Sequence, residues 1–490
     1  KNKGESKPQL VFNKPEKDHL SMSKKKTREG AIRRAQNRFD DGSFLKELAR
    51  RVAIPTESQV PELADELHRY QRDEMAPCLK AFGFETRVVE NPIENRGPAL
   101  IASRIENETL PTVLIYGHGD VVRSIKAEWS EGLDPYKMSI IGDRIYGRGV
   151  ADNKGQHTLA LNALGAVLDE RDGKLGFNAK FIIETGEEQG SPGLQKLIET
   201  NVDLLKCDIF LGFDGPRKSS KCMDLNLGCR GGIFFDLIVD HKRPGAMHSG
   251  HWGGVLPDAG IQLAHAISSI TDPQGRINIQ EWLPAQVPEQ VSEACKSLVV
   301  DQGADTQEPD PNWGQSDLSV HEKTLAWTSF TVLAFKTGNP DNPVNAVPSY
   351  AKARCQVRYT TDVDRQVFIP ALRRHLDKIE LNHIEINTEI GRDQFPASRT
   401  DPNHPWVKWV VDSIQKTTNV MPNVLPCSSG SNPSELFKSG LKTPVIWIPH
   451  SYSGCNQHGP DEHGLKSFLR EGLAATAGIF WDLGEGSAPK

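Results

Sequence analysis

Thr112-Val113-Leu114-Ile115-Tyr116-Gly117-His118-Gly119-Asp120 joins a short apolar run to a histidine and a carboxylate set between glycines. An apolar run of this length bounded by turn residues predicts a buried strand over 112–116. The Gly-His-Gly-Asp that follows then falls on the loop at its carboxyl end. Working outward, strand-like segments recur at 86–89, 100–103, 179–184, 209–213 and 445–448. Ala160, Ala163, Leu164, Val167 and Leu168 draw an apolar helical stripe between the strands at 112 and 179. Upstream, 44–52 and 61–82 carry apolar residues at helical spacing, with Leu63, Leu67, Tyr70 and Met75 on one side. Strands alternating with helices predict an α/β fold with a wound sheet.

The pattern changes after Cys229. Residues 232–239 and 351–358 alternate polar and apolar side chains, as half-buried strands do, and flank helical stretches at 261–270 and 367–379. This predicts a separate α+β insert. Near Asp401 the α/β character returns, with a helix at 406–415 and the strand at 445, so the first domain closes after the insert. The 490 residues exceed the roughly 250–300 at which one core stops growing, which agrees with two domains. Residues 284–311 are expected to form a long loop. The first 40 residues, with Lys24, Lys25, Lys26 and Arg28, are expected to be a polar arm.

With 58 Lys and Arg against 64 Asp and Glu, the formal charge of −6 gives no general attraction to phosphate backbones or anionic membranes. No apolar run approaches the roughly 20 residues that span a bilayer, and residues 1–36 have no apolar core of a secretory signal. The expectation is therefore a cytoplasmic protein with a small-molecule substrate and neither nucleic acid nor membrane as partner. The eight cysteines contain no Cys-x-x-Cys pair and are expected to be reduced.

Chemistry-bearing residues gather at the strand ends. His118 and Asp120 follow the strand at 112; Glu187 and Glu188 follow that at 179; Asp214 follows that at 209; His450 and His458 follow that at 445. Asp152 lies in Gly149-Val150-Ala151-Asp152-Asn153-Lys154-Gly155, just before the striped helix. In an open α/β sheet, loops at the carboxyl ends of strands converge on one crevice, so distance along the chain is no obstacle. Taken singly, His-x-Asp reads as a surface turn, Glu-Glu as a helix start favoured by the dipole, and Asp214 as a turn cap. Jointly, imidazole and carboxylate suit a borderline cation such as zinc, with manganese or cobalt as substitutes. Phosphate-loop, nucleophile-elbow and His-Glu-x-x-His signatures are absent.

These motifs resemble the clan MH co-catalytic zinc peptidases, the family of aminoacylase, acetylornithine deacetylase, succinyl-diaminopimelate desuccinylase, carnosinase and cytosolic nonspecific dipeptidase, and the dipeptidase-like branch most. The likeness runs from about Phe44 to Leu483. It implies a catalytic domain of zinc-peptidase type in two parts, 41–227 and 398–490, and an inserted lid and dimerisation domain at 228–397, hence a homodimer. It further implies two divalent ions, with Asp152 bridging, His118 and Asp214 on one, and Glu188 and His458 on the other. Choosing His458 over His450 or His463 rests on the likeness of His458-Gly459-Pro460-Asp461-Glu462 to the family's late motif, where Asp461 replaces an Asn. Asp120 would orient the His118 ring, and Glu187 would act as general base. The resemblance also implies a cis Asp152–Asn153 bond.

In the insert, Met247-His248-Ser249-Gly250-His251-Trp252-Gly253-Gly254 is similar to the lid motif whose histidine reaches an active site, often that of the partner subunit. Asn345 and Arg358 match positions that contact substrate. Dipeptidases carry a motif like Arg-Glu-Gly-Gly-Ser-Ile-Pro where this chain has Cys427-Ser428-Ser429-Gly430-Ser431-Asn432-Pro433, keeping Ser431 but losing the acidic and basic residues. The expected activity is hydrolysis of an amide or peptide bond in a dipeptide or N-acyl amino acid. An amidase or deacylase acting on N-acyl, N-carbamoyl or aryl amides is the alternative, with a non-catalytic binding protein behind both.

Overall fold

The strand read from residues 112–116 runs Thr112–His118 and lies inside an eight-stranded mixed sheet. In this computed structural model, which describes residues 26–244, 247–301, 308–389 and 395–489, Thr112–His118 pairs in parallel with Asn178–Glu184 on one side and Ile209–Gly212 on the other. Val445–Trp447 continues in parallel beside Ile209–Gly212. One edge is closed by the antiparallel strands Ala99–Arg104 and Glu85–Val89. The other carries Asp224–Asn226 and Asn423–Leu425. Every residue of Asn178–Glu184 is buried, as expected of a strand covered on both faces. One face packs residues such as Ile115, Phe181 and Leu211 against the helices Lys154–Glu170 and Lys466–Leu483. The other packs Leu114, Tyr116, Phe210 and Trp447 against Phe437 and Leu441.

The strand register matters for function. His118 pairs with Glu184, so the residues just beyond both strands emerge together at the carboxyl ends of the sheet's central strands. Ile209–Gly212 and Val445–Trp447 end at the same side because they run parallel to them.

Two sequence expectations are corrected. Residues 28–40, expected to belong to a polar arm, form the helix Arg28–Asp40, with Ala31, Ala35 and Phe39 buried against the core and Arg28 paired with Asp482 at 2.9 Å. The four-residue spacing of these apolar groups is a full stripe, hidden among basic residues. Residues 1–25 of that expected arm lie outside the described residues. The stretch 284–311 holds a helix, Glu289–Lys296, whose Val291 and Cys295 pack on Leu425 and Cys427; residues 302–307 within it are not among those described.

The intervening segment builds its own antiparallel sheet in the order Ser329–Thr337, Tyr350–Tyr359, Gly231–Asp240, Glu385–Asn387. Alternation puts Phe235, Leu237, Cys355 and Val357 on one face, against Leu263 and Ala266 of Ala259–Ile270 and Leu372 of Phe368–Lys378. Arg354, Gln356 and Arg358 alternate onto the other face. Where the chain leaves and re-enters the larger sheet, Gly228–Cys229 pairs with Ser398–Arg399. Gly228 has φ of 153°, and a Cβ there would lie 2.1 Å from the Ser398 carbonyl oxygen, so only glycine admits this approach.

Candidate active site

Asp152 sits in the loop before Lys154–Glu170, and that loop is held by a carboxylate from far along the chain. Glu462 accepts the backbone N–H groups of Gly149, Ala151 and Asp152, each at 3.0 Å, and is paired with Arg148 at 2.7 Å. Both members of that pair are buried. The Asp152–Asn153 bond is cis, as the family resemblance implies. Asn153 Oδ1 accepts the backbone N–H of His118 at 3.2 Å, tying the loop to the strand end.

The two carboxylate oxygens of Asp152 face different partners. Oδ1 lies 3.1 Å from His118 Nε2, which is also 3.6 Å from Asp214 Oδ2. Oδ2 lies 3.2 Å from His458 Nε2, itself 3.1 Å from Glu188 Oε2. Asp120 is buried 3.4 Å from His118 Nδ1. Its oxygens also accept the N–H groups of Glu187 and Glu188, both at 3.2 Å, and the Ser58 hydroxyl at 2.8 Å. One aspartate thus sets the histidine ring and the turn bearing both glutamates.

The donor set fits a divalent cation. Among the described residues, none of Asp152, Glu187, Glu188 and Asp214 forms an ion pair with Lys or Arg, and clustered carboxylates without a cation are costly. Ligand atoms of His118, Asp152 and Glu188 lie within 4.8 Å of one another. Glu188 Oε1 is buried with no hydrogen-bond partner. Burial, opposed by His118 but reinforced by the carboxylates of Glu188, Asp214 and Asp152, pushes the Glu187 carboxyl well above its ordinary range.

Asp152, Glu187, Glu188, Asp214 and His458 line one end of a cavity of about 460 Å³. Its opposite wall is the loop Ser428–Asn432, with Lys218, Asn226 and Phe395 beside it. Ser431 accepts a hydrogen bond from Arg358 Nη1 at 2.7 Å and donates to the Arg230 carbonyl at 2.8 Å. Of the sequence-derived site residues, the structure therefore brings together His118, Asp120, Asp152, Glu187, Glu188, Asp214 and His458, with Ser431 across the cavity and Arg358 bonded to it from outside the lining. His248 and Asn345 adjoin each other, the Asn345 carbonyl accepting the Ser249 N–H at 2.8 Å, but both are exposed and neither lines the cavity. His450, the rival of His458, is buried against Phe213 with both ring nitrogens unpartnered. His463 stacks near Tyr146. The sequence presents Glu462 and Asn153 only as members of motifs and gives no sign of Lys218. The contacts of Glu462 with the Asp152 loop and of Lys218 with Ser429 join residues more than 200 positions apart, which nothing in their local sequence marks.

Residues 114–482 match the family described as Peptidase family M20/M25/M40. The chain belongs to this peptidase family. Among M20 relatives, a cysteinylglycine-S-conjugate dipeptidase of Corynebacterium striatum is 32% identical over 239 residues, spanning 48% of this chain and 51% of that protein. The human Beta-Ala-His dipeptidase is 25% identical over 483 residues and 90% of each chain. Among solved structures, an M20 family metallo-carboxypeptidase from Sulfolobus solfataricus superposes with a TM-score of 0.74 at 24% identity, covering 90% of this chain and 99% of that one, a likeness of fold. This M20 chain is accordingly a metal-dependent enzyme that hydrolyses peptide bonds in small substrates. Among the described residues, no helix is long and apolar enough to cross a membrane.

Proposed function

We propose that this M20 peptidase cleaves dipeptide-sized substrates ending in a free carboxylate, using two divalent ions held by His118, Asp152, Glu188, Asp214 and His458. The observation that carries the reading is the divided carboxylate of Asp152, one oxygen toward His118 and Asp214, the other toward His458 and Glu188. Imidazole and carboxylate donors suit zinc, with manganese or cobalt able to replace it. Bound ions of this kind polarise a carbonyl and acidify water. Glu187 takes the proton of the attacking water and returns it to the leaving nitrogen. Asp120 keeps that glutamate in place through its backbone N–H. Arg358, steadied by Ser431, receives the terminal carboxylate.

The division into catalytic parts at 41–227 and 398–490 and a lid at 228–397 is supported by the separate cores and by the pairing of Gly228–Cys229 with Ser398–Arg399. We assign the lid to a homodimer in which the exposed His248 and Asn345 serve the partner's site. The eight cysteines, free in this fold, suit a reducing compartment such as the cytoplasm.

The names of the relatives point to dipeptides. One observation favours the second reading, N-acyl amino acids: apart from the proposed metal-site carboxylates and Glu187, no acidic residue lines the cavity to meet a free amino group. A chelator-treated and metal-reconstituted preparation assayed on dipeptides and on N-acetyl and N-succinyl amino acids tests both. Metal analysis is expected to find close to two ions per chain, and activity to vanish on chelation and return with zinc, manganese or cobalt. Full turnover by metal-free protein would overturn the assignment.

A further inference from the structure

The loop opposite the proposed metal ligands gathers more positive charge around it than one terminal carboxylate requires. Three cations meet the loop Ser428–Ser431: Arg358 through Ser431 Oγ at 2.7 Å, Lys218 through Ser429 Oγ at 3.5 Å, and Arg230 through the Ser429 carbonyl at 3.3 Å. Among the described residues none of the three has a carboxylate within ion-pair distance. Asp224, next to Lys218, spends its oxygens on the Lys218 backbone N–H and on Asn423 Nδ2. Burial pushes all three cations downward, Arg230 to about 10. Arg230 is buried and Lys218 and Arg358 are half-buried; cations so withdrawn from water without a counter-ion are unusual, and a ligand that supplies one is favoured.

Their placement separates the roles. Arg230 is buried behind the loop, donates also to Ser329 Oγ at 3.2 Å, and does not line the cavity, so it fixes the loop. Lys218 does line the cavity, and its partner Ser429 stands two residues along the loop from the Ser431 that accepts from Arg358. Its position follows from Asp214-Gly215-Pro216-Arg217-Lys218, which runs from a proposed metal ligand along the cavity edge. Arg217 on the same turn is taken by Glu471, leaving Lys218 as the charge directed to substrate.

We infer that Lys218 is a specificity-determining residue that, with Ser429, binds a second carboxylate, so that the favoured substrates carry an acidic side chain on the residue released at the carboxyl end. This rests on the proposed reading in which Arg358 and Ser431 hold the terminal carboxylate. The bond broken and the proton transfers are those already described; Lys218 adds only recognition, through a charge-assisted hydrogen bond.

The test compares matched pairs that differ in one charge, Ala-Glu against Ala-Gln and Ala-Asp against Ala-Asn, in two measurements. In the first, kcat/KM is taken with metal-loaded enzyme. Wild type is expected to favour the acidic member at least tenfold, mainly through KM. Lys218→Gln should abolish the preference by bringing kcat/KM for Ala-Glu down to that for Ala-Gln, and Lys218→Glu should shift it toward Ala-Lys. In the second, calorimetry follows binding of the same dipeptides to the Glu187→Gln protein with and without Lys218→Gln. Tighter binding of Ala-Glu that disappears with Lys218 supports the inference even if no dipeptide is hydrolysed, an outcome that would count against the proposed reaction alone. Equal handling of acidic and amide partners in both measurements by the proteins that keep Lys218, or a preference that survives Lys218→Gln, overturns it.

Discussion

At the scale of single residues, two neighbouring glutamates are proposed to divide between chemistry and metal binding. Glu188 faces His458 and Asp152, whereas Glu187 makes no ion pair among the described residues and is held through its backbone by Asp120. Glu187→Gln is therefore expected to keep its full metal content by elemental analysis while kcat falls about 10²- to 10⁴-fold, the usual worth of a positioned acid–base group. Metal loss would instead make Glu187 a ligand. Glu462 acts at one remove: four donors converge on it, and three belong to the loop that presents Asp152. Glu462→Gln leaves Arg148 buried without its counter-charge, which costs about 3–5 kcal/mol in comparable pairs. Denaturant unfolding should register that loss, and the loosened Asp152 loop should release metal at lower chelator concentration. Unchanged stability would show that the backbone N–H groups find other acceptors.

Among the elements, the helix Arg28–Asp40 tests whether the chain before Ser43 belongs to the core. Phe39 is buried and lies 5.5 Å from the Phe44 ring, while Arg28 reaches Asp482 and the Ser413 carbonyl. Phe39→Ala is expected to destabilise the protein by about 3–5 kcal/mol, as aromatic-to-alanine changes in packed cores do. A change below 1 kcal/mol in chemical denaturation would return this helix to the status of an accessory arm. The contrast with the strand Thr112–His118 is instructive. There a continuous apolar run announced burial on both faces, whereas in the helix the buried Ala31, Ala35 and Phe39 stand four apart among mostly polar and basic residues, which keep the composition of a solvated segment.

For the whole molecule, the question is how the lid meets the site. Arg358 reaches Ser431 of the cavity wall within its own chain because the strand Tyr350–Tyr359 directs alternate residues to the face away from the lid helices, and Gly232, its neighbour in register, adds no side chain there. His248 and Asn345 lie elsewhere on the lid, exposed and outside the cavity. If they complete a partner's site, mixing His248→Ala chains with Glu187→Gln chains should regenerate activity, since one site of each mixed dimer then has both its own Glu187 and the other chain's His248. Analytical ultracentrifugation must show exchange of subunits in the same sample. Exchange without recovered turnover would confine His248 to its own chain or to no catalytic part.

What the sequence by itself determined was local and periodic. An apolar run ending in Gly-His-Gly-Asp reads as a buried strand feeding a polar loop, alternation at 232–239 and 351–358 reads as a second sheet, and the carboxylates and histidines at successive strand ends name the donor set. Parallel pairing makes those strand ends coincide, so even the meeting of His118, Glu188 and Asp214 was legible. Tertiary structure alone decided the rest. The edge strands Asp224–Asn226 and Asn423–Leu425 are three residues each, too short for any period to register. That Glu462 would anchor the Asp152 loop, that Asp120 would hold two glutamates as well as a histidine, and that Lys218 would face the cavity without a counter-ion are facts of distance between segments remote in the chain. Pattern encodes which face of an element is buried; only packing decides which side chains from other elements it meets.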